Sequence, residues 1–351
     1  MMKRICLTAV GILLLAGLGM AAESPDAIWQ GLMANPPAVP HTEARHEALK
    51  ALDEWLMAPN SERSEEVIAY YQRAVDRALD TLENERVSEG IRMFQLYSSS
   101  VIVQTPETVF AIDLDQGPRR RMTRNAAEEG GGFRMTPEQI ARIVALVEVS
   151  FHTHEHSDHI DYELTQALCA ADKTVIVTKS NKELWQDEPW AEKLVVLDQT
   201  IARPHTVGGL EVDVLWDHQW SDEEHTRGTP CNAYLVTTPG GVAVFTKGDI
   251  NCGLRLYGWL HVMVAEGRHV DLFVGSPIYW RGVNLAGQID ELLAPIWALG
   301  HVWEFGHRSP GTSGGATGTY TGNLMMNRHH FQRGQPVVLS WGEYIDLPAG
   351  E

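Results

Sequence analysis

The sequence predicts an α/β protein of four layers, in which two β-sheets pack face to face between outer helices. Three observations favour this αββα sandwich. Short β-rich runs joined by tight turns lie towards the ends of the main region. Between them, helical and strand patterns alternate. Hairpins at the ends with alternation in the middle fit this sandwich better than a doubly wound parallel sheet. Two amphipathic segments also precede the first strand, so we expect a helical extension before the sandwich.

The N-terminal part predicts an extended start followed by two helices. Residues 27–40 contain three prolines and predict an extended lead-in. Apolar residues recur at helical spacing over residues 42–57 and again over residues 64–85. We expect both helices to pack on the following domain, and a dimerisation hairpin is the alternative.

Strand signals begin after these helices. Residues 93–97, 100–104 and 109–114 are β-rich and predict an antiparallel meander at the edge of the sandwich. Further along, Pro239-Gly240-Gly241 joins two β-rich runs, which is a strong hairpin signal. In the middle region, Thr136 followed by Pro137 and Gln139 predicts a capped helix that leads into another strand.

The first residues of the chain predict export. Two basic residues, Lys3 and Arg4, precede an apolar run over residues 5–20 and two alanines, as in a secretory signal peptide. An uncleaved anchor is the alternative. We therefore divide the chain into a signal peptide (residues 1–21), an N-terminal helical extension (22–90) and a main domain (91–351), and expect a periplasmic or secreted protein.

The net charge of the chain narrows the classes of partner that the protein could bind. The formal net charge of −18 becomes −20 when residues 1–21, with two bases and no acid, are removed. Such acidity argues against nucleic acid or an anionic membrane surface as the main partner.

Without residues 1–21, three cysteines remain, Cys169, Cys231 and Cys252, and an odd number does not indicate a disulfide framework. We expect them to be buried, with a Cys231–Cys252 disulfide as the alternative.

A dense group of potential metal ligands lies within residues 151–161. His154 and His156 alternate as side chains do at the end of a strand, so both imidazoles can converge on one ion. Asp158 and His159 follow a turn, which directs them to a second point nearby. Imidazole and carboxylate ligands without a thiolate suit zinc, with iron or manganese as alternatives.

The pattern His154-x-His156-x-Asp158-His159, after a hydrophobic strand and a threonine, resembles the signature of the metallo-β-lactamase fold hydrolases. The resemblance covers about residues 90 to 345. It implies an αββα sandwich, two divalent metal ions and a metal-bridging hydroxide that attacks a small-molecule substrate. Asp158 would also help to carry protons.

The same resemblance implies three more ligands downstream. His225 would complete the first metal site, with His218 as its rival in the same loop. Asp249 follows a strand and a glycine and would bridge the two metals. His301 ends an apolar run and would be the last ligand of the second metal, with His307 as the alternative.

An aspartate at position 249, where some antibiotic-degrading members use cysteine, points to the lactonase-like, thioesterase and phosphodiesterase branches. We therefore expect an exported hydrolase that cleaves an ester, lactone or phosphodiester bond in a small or lipid-derived substrate. Hydrolysis of a β-lactam amide is one alternative. A non-catalytic metal-binding module, whose helical extension recruits a partner, is another.

Two loops are candidates for the edge of a substrate pocket. Residues 117–132 carry four arginines and are typical of a solvated insertion, although guanidinium groups there could bind an anionic substrate. Residues 311–323 are rich in glycine, serine and threonine and predict a flexible loop.

Overall fold

Two mixed sheets form the centre of the computed structural model, which describes residues 24–59, 61–117, 133–201, 203–221, 226–275, 286–293, 295–305, 318–328 and 331–349. The strands are β1 (Ile91–Gln95), β2 (Val101–Gln104), β3 (Val109–Ile112), β4 (Val149–Phe151), β5 (Thr174–Ile176), β6 (Leu194–Val195), β7 (His205–Val207), β8 (Leu210–Ser221), β9 (Thr226–Thr237), β10 (Ala243–Thr246), β11 (Leu272–Val274), β12 (Ile296–Ala298), β13 (Gln335–Val337) and β14 (Tyr344–Leu347).

The two sheets have the same plan. Within the described residues each has seven strands, in the order β14-β1-β2-β3-β4-β5-β6 and β13-β12-β11-β10-β9-β8-β7. From β14 to β3 the neighbours are antiparallel, and from β3 to β6 they are parallel. The second sheet is antiparallel from β7 to β10 and parallel from β10 to β13. Each sheet therefore places a set of parallel carboxyl ends along one edge.

The sheets pack on each other through alternate residues of their strands. Val101 and Val103 of β2 and Val244 of β10 belong to one buried cluster between the sheets. Ile102 and Phe245, which alternate with them, belong to a second cluster that includes the helices. This alternation follows from the two-residue repeat of a strand, which gives every strand an inner and an outer face.

Helices cover the outer faces. Successive helices α3, α4 and α5 pack side by side, with α5 against β5, while α7 packs against α8 and β8. The helices are α1 (Pro25–Ala34), α2 (Glu43–Leu56), α3 (Glu65–Asn84), α4 (Pro137–Leu146), α5 (Tyr162–Ala170), α6 (Lys179–Leu184), α7 (Leu254–Ala265), α8 (Ala286–Leu293) and α9 (Tyr320–Asn327). Among the residues described, no helix combines the length and apolar character needed to cross a membrane.

The N-terminal extension contains both expected helices, α2 and α3, and one that was not expected. The extended lead-in predicted for residues 27–40 is wrong over its first part, because α1 occupies Pro25–Ala34. Ser24 caps this helix by accepting a hydrogen bond from the backbone N–H of Ala27. Pro25 is the first residue of the helix, where a backbone N–H would have no partner within the helix and its absence therefore removes no hydrogen bond. The prolines that suggested extended chain lie beyond its end.

A buried ion pair joins the extension to the end of the chain. Arg45 of α2 donates hydrogen bonds to both carboxylate oxygens of Glu343, just before β14, and to the backbone carbonyl oxygen of Val338. The side chains are 0% and 2% exposed. Because a bidentate Arg–carboxylate pair is directional, it fixes the helix in both position and rotation.

Three other expectations have clear outcomes. The meander β1–β2–β3 is antiparallel as predicted, but it is not at the edge, because β14 pairs with β1 outside it. The loop predicted for residues 311–323 is wrong at its end, where α9 begins at Tyr320 with Thr319 as its N-cap. Cys169, Cys231 and Cys252 are buried and form no disulfide. Residues 1–21 and the four arginines of residues 117–132 lie outside the described part of the chain.

Candidate metal centre

The candidate ligands come from the carboxyl ends of parallel strands in both sheets. Residues 152–161 follow β4, Asp249 follows β10 and His301 follows β12. Functional groups in α/β sheets collect at such strand ends, because the connections leaving them lie on one side of the sheet. The sandwich therefore brings together side chains that are up to about 150 residues apart in the sequence.

A close backbone approach holds the two sheets together at this edge. Gly248 precedes Asp249 with a φ of 51°, and a Cβ atom there would lie 2.6 Å from Cβ of Thr153 and 2.8 Å from Sγ of Cys231. Any side chain at position 248 would push the two strand ends apart. The glycine thus allows Asp249 to reach the histidines that follow β4.

The first candidate group consists of His154, His156 and Asp249, whose ligand atoms all lie within 4.8 Å of one another. Nε2 of His154 is 3.5 Å from Oδ2 of Asp249. Nε2 of His156 lies 3.0 Å from the hydroxyl of Thr229 in β9, which leaves Nδ1 of that ring available to an ion.

The second candidate group consists of Asp158, His159 and His301, again within 4.8 Å of one another. Nε2 of His301 is 3.0 Å from Oδ2 of Asp158 and 3.2 Å from Nε2 of His159. Oδ1 of Asp249 lies 3.4 Å from His159 Nε2 and 3.5 Å from His301 Nε2. Asp249 therefore faces both groups, one with each carboxylate oxygen.

A second layer of polar groups orients the histidine rings. Asp113, directly after β3, lies 2.8 Å from Nδ1 of His159 and accepts hydrogen bonds from the backbone N–H and hydroxyl of Thr153. The Thr153 hydroxyl is also 3.0 Å from Nδ1 of His154. With Nδ1 engaged, Nε2 of both rings is directed towards the candidate site.

Comparison with known proteins addresses the fold. No protein-family model and no curated protein sequence matches the chain. The isothiocyanate hydrolase from Delia radicum gut bacteria is similar in structure, with 14% identity and a TM-score of 0.51 over 74% of this chain and 100% of that one. A possible metal-dependent hydrolase from Veillonella parvula has 12% identity and a TM-score of 0.51, also over 74% and 100%.

A third similar structure is the metallo-beta-lactamase fold protein YhfI from Bacillus subtilis, with 13% identity and a TM-score of 0.47 over 74% of this chain and 100% of that one. The two hydrolases with a TM-score of 0.51 carry the comparison of the fold. The two matched halves of the sandwich, with strand ends that meet at one edge, are the arrangement that the histidine signature implied. The chain has the metallo-β-lactamase fold. The predicted αββα sandwich is thereby confirmed.

Within the metallo-β-lactamase fold, the predicted site residues have the following positions. His154, His156, Asp158, His159, Asp249 and His301 lie together in the two groups described above. His225 and His307 lie outside the described residues. His218, the rival of His225, is in β8 and belongs to neither group found among the described residues.

Sequence reasoning missed Asp113, Gln219 and Thr229, all of which contact candidate ligands. Gln219 donates a hydrogen bond of 3.1 Å to Oδ2 of Asp249 from an irregular register in β8. Asp113 left a signal, because it is a lone acid that ends a buried strand next to β4. Gln219 and Thr229 left no such signal, since a bulge and a hydroxyl inside a long hairpin have no distinctive spacing.

The electrostatics of the site arise from buried, opposite charges. Burial by itself would lower the pKa of His159, but the carboxylates of Asp158, Asp249 and Asp113 outweigh it and hold that pKa well above its usual range. Burial likewise opposes ionisation of Asp158 and Asp249, yet the neighbouring histidines hold both carboxyl pKa values well below normal. Burial, followed by His154, lowers the pKa of His156 to about 4.

The donor set fits divalent metal ions. Nε2 of His154 and Oδ1 of Asp249 are buried and make no hydrogen bond with the described part of the chain. A buried polar atom without a partner is costly, and a cation supplies the missing partner for both nitrogen and oxygen. By contrast, His152 is satisfied without an ion, since its nitrogens lie 3.1 Å from the His159 carbonyl oxygen and 3.3 Å from the Ser150 hydroxyl.

Proposed function

We propose that this protein is an exported, metal-dependent hydrolase that cleaves an ester, lactone or phosphodiester bond in a small or lipid-derived substrate. One observation carries the proposal. Asp249 places one carboxylate oxygen 3.5 Å from His154 of the first group and the other 3.4 to 3.5 Å from His159 and His301 of the second group. A closed structural zinc site needs only four ligands around one ion, whereas a shared carboxylate between two groups suits a binuclear hydrolase.

The residues divide between two divalent ions, most simply Zn²⁺. His154, His156 and the predicted ligand His225 would hold the first, and Asp158, His159 and His301 would hold the second, with Asp249 between them. Bound there, the two ions would supply Lewis acidity, which polarises a substrate oxygen and lowers the pKa of water towards neutrality.

The chain itself contributes orientation and proton handling. Asp113 and Thr153 hold the rings of His154 and His159 in one orientation. The neighbouring histidines hold the carboxyl pKa of Asp158 well below its usual range, so the side chain is an anion that would accept a hydrogen bond from a water molecule and orient it towards the substrate. His154, Asp158, His159 and Asp249 are buried, whereas His156 and His301 are partly exposed, so a substrate can approach the site from the side of these two histidines.

A carboxylate at position 249 favours the lactonase-like branch over the thiolate-containing antibiotic-degrading members. The nearest cysteine in sequence, Cys252, is buried, and burial raises its thiol pKa. A thiol that resists ionisation is a poor metal ligand. Hydrolysis of a β-lactam amide is therefore the less favoured substrate class.

The test combines metal analysis with a panel of substrates. We expect about two zinc ions per purified chain and turnover of at least one ester, lactone or phosphodiester. The panel also includes a β-lactam and an isothiocyanate, the latter because a structurally similar protein is named an isothiocyanate hydrolase. A single bound iron, or no hydrolysis by a chain loaded with two zinc ions, contradicts the proposal.

Two substitutions connect that turnover to the site. Asp158→Ala and Asp249→Asn are expected to abolish hydrolysis while the far-ultraviolet circular dichroism spectrum is retained, because each removes a charge that the metal ions and histidines require. If hydrolysis survives either substitution, the assigned site is not the catalytic one.

Mass analysis of the protein recovered from the cell exterior tests export, since cleavage near residue 21 removes the predicted signal peptide.

A further inference from the structure

The last ligand of the second group lies on an unusual piece of backbone. His301 has a φ of 62° and Trp303 a φ of 52°. Residues with a Cβ atom rarely adopt this left-handed conformation, and they keep it only when the surrounding structure determines it. Contacts with neighbouring elements must therefore stabilise this backbone conformation in the segment that follows β12.

Asp53 of α2 provides that restraint from the N-terminal extension. Its carboxylate accepts a hydrogen bond of 2.6 Å from Nε1 of Trp303, two residues after His301. It also accepts hydrogen bonds of 2.9 Å from the backbone N–H groups of Tyr320 and Thr321, and one of 2.7 Å from the Thr321 hydroxyl. One buried carboxylate thus joins three elements, namely α2, the His301 segment and the start of α9.

The start of α9 is tied back to the same segment. The backbone N–H of Trp303 donates to the carbonyl oxygen of Gly318, and the side chain of Asn323 in α9 donates to that of Gly300, which precedes His301. Asp53 therefore restrains His301 by two routes, directly through Trp303 and indirectly through α9. Its own position is fixed by the Arg45–Glu343 pair near the start of the same helix.

The chemistry of Asp53 indicates a specific role. The side chain is 3% exposed, and burial raises its carboxyl pKa although hydrogen bonds from Thr321, Trp303 and Tyr320 oppose the rise. An apolar side chain at this helix position would pack without that desolvation cost. The carboxylate instead satisfies donors that belong to the ligand segment and its support.

We infer that Asp53 is a positioning residue for His301, and that the N-terminal extension thereby completes the second metal site. This inference rests on the proposed binuclear function. It assigns the extension to the active centre, rather than to dimerisation or to recruitment of a partner.

The test is a metal titration of the full chain. Metal-free wild-type protein, Asp53→Asn and Trp303→Phe are each titrated with Co²⁺, followed by visible absorption, and with Zn²⁺ in competition with a chelator. Asp53→Asn replaces an acceptor oxygen by an NH₂ group that faces donors. Trp303→Phe keeps a ring but removes the Nε1 donor, and it decides the matter if Asp53→Asn does not fold.

We expect the wild-type chain to bind two ions, and both variants to bind the second ion about 10- to 100-fold more weakly while the first is retained. Asp213→Asn is the matched control, because it makes the same change at another buried carboxylate, one that pairs with Arg268 and does not contact α2 or the His301 segment. It should keep the affinity for both ions.

Three results would overturn the inference. Unchanged affinity for the second ion in the folded variants shows that Asp53 does not position His301. Equal weakening of both ions in Asp53→Asn, or the same loss in Asp213→Asn, shows a general loss of structure. A wild-type chain that binds fewer than two ions contradicts the proposed function itself and removes the basis of this inference, which is a different outcome from the first two.

Discussion

At the scale of single residues, the candidate site depends on groups that never touch a metal ion. Asp113 contacts both Thr153 and His159, and Thr153 in turn contacts His154. One carboxylate therefore sets the orientation of a ring in each ligand group. Such outer contacts fix the tautomer of a histidine and raise its basicity, so they contribute directly to metal affinity.

Asp113→Asn is expected to weaken metal binding by about 10- to 100-fold without unfolding the chain. The substitution keeps the shape of the side chain but removes the charge that faces Nδ1 of His159. Equilibrium dialysis against Zn²⁺ measures the effect. Asp213→Asn is the control, since Asp213 in β8 is also a buried carboxylate but pairs with Arg268, away from the site. An equal loss in both variants contradicts the assigned role.

Metal affinity at the second group is expected to rise with pH. Because the surrounding carboxylates hold the pKa of His159 well above its usual range, the ring carries a proton at neutral pH that must leave before Nε2 can bind an ion. His156, with a pKa of about 4, has no such proton to lose. Chelator competition between about pH 6 and pH 8 should therefore show tighter binding at higher pH, with proton release.

The same measurement in Asp113→Asn checks the sign. Removing an anion beside His159 lowers the pKa of the ring, so the rise in affinity should move to lower pH. An affinity that is independent of pH in the wild-type chain, or a shift to higher pH in the variant, contradicts this account.

At the scale of secondary structure elements, α2 is the helix that connects the extension to the rest of the molecule. Arg45 reaches Glu343 beside β14, and Asp53 reaches the segment after β12. One helix therefore contacts both sheets near an edge, beside the edge strand β14 in one sheet and after β12, next to the edge strand, in the other. Its sequence predicted the helix correctly, but not that two of its charged residues are buried, because helical spacing of apolar residues describes only one face.

Arg45→Met is expected to destabilise the folded chain by about 3–5 kcal/mol, since it leaves the carboxylate of Glu343 buried without its partner. The double variant Arg45→Met with Glu343→Leu should recover much of that loss, because two apolar side chains pack without a desolvation cost. Urea unfolding followed by circular dichroism measures both. A single variant as stable as wild type would show that the pair contributes little.

At the scale of the whole molecule, the extension and the sandwich share one hydrophobic cluster. Ile28 and Leu49 of the extension belong to the same buried cluster as Phe133 and Trp341 of the main domain. Tyr71 of α3 stacks on Phe133 with ring centroids 4.6 Å apart and packs edge-on against Trp341. Removing the extension would expose a large apolar surface to water.

We therefore expect residues 91–351 expressed alone to be aggregation-prone and to bind a hydrophobic dye, unlike the chain from residue 22. Limited proteolysis of the full-length protein should give no stable fragment that begins near residue 91, because the extension and the main domain share one buried cluster. A stable, soluble and dye-negative fragment would instead establish residue 90 as a true domain boundary.

The sequence predicted the fold class and much of the candidate site, for a physical reason. Strands with one inner and one outer face leave a two-residue pattern, and ligands after them are dense and ordered, as in His154-x-His156-x-Asp158-His159. The helix α1 was not predicted, because Pro36, Pro37 and Pro40 favoured extended chain over residues 27–40. The signal for its start, Ser24 followed by Pro25, lies before that range. The position of β14 was missed because strand order depends on contacts between distant residues, which local patterns do not encode.

The pairing of the first and last strands bears on how the site matures during synthesis. Asp53 and Trp303 are separated by 250 positions, and β1 finds its outer neighbour only when β14 is made. His154 and His156 therefore emerge from the ribosome long before His301 can be held in place. The second ligand group therefore depends on contacts between residues far apart in the sequence, and we expect it to form late in folding, after α2 and β14 have packed on the sandwich.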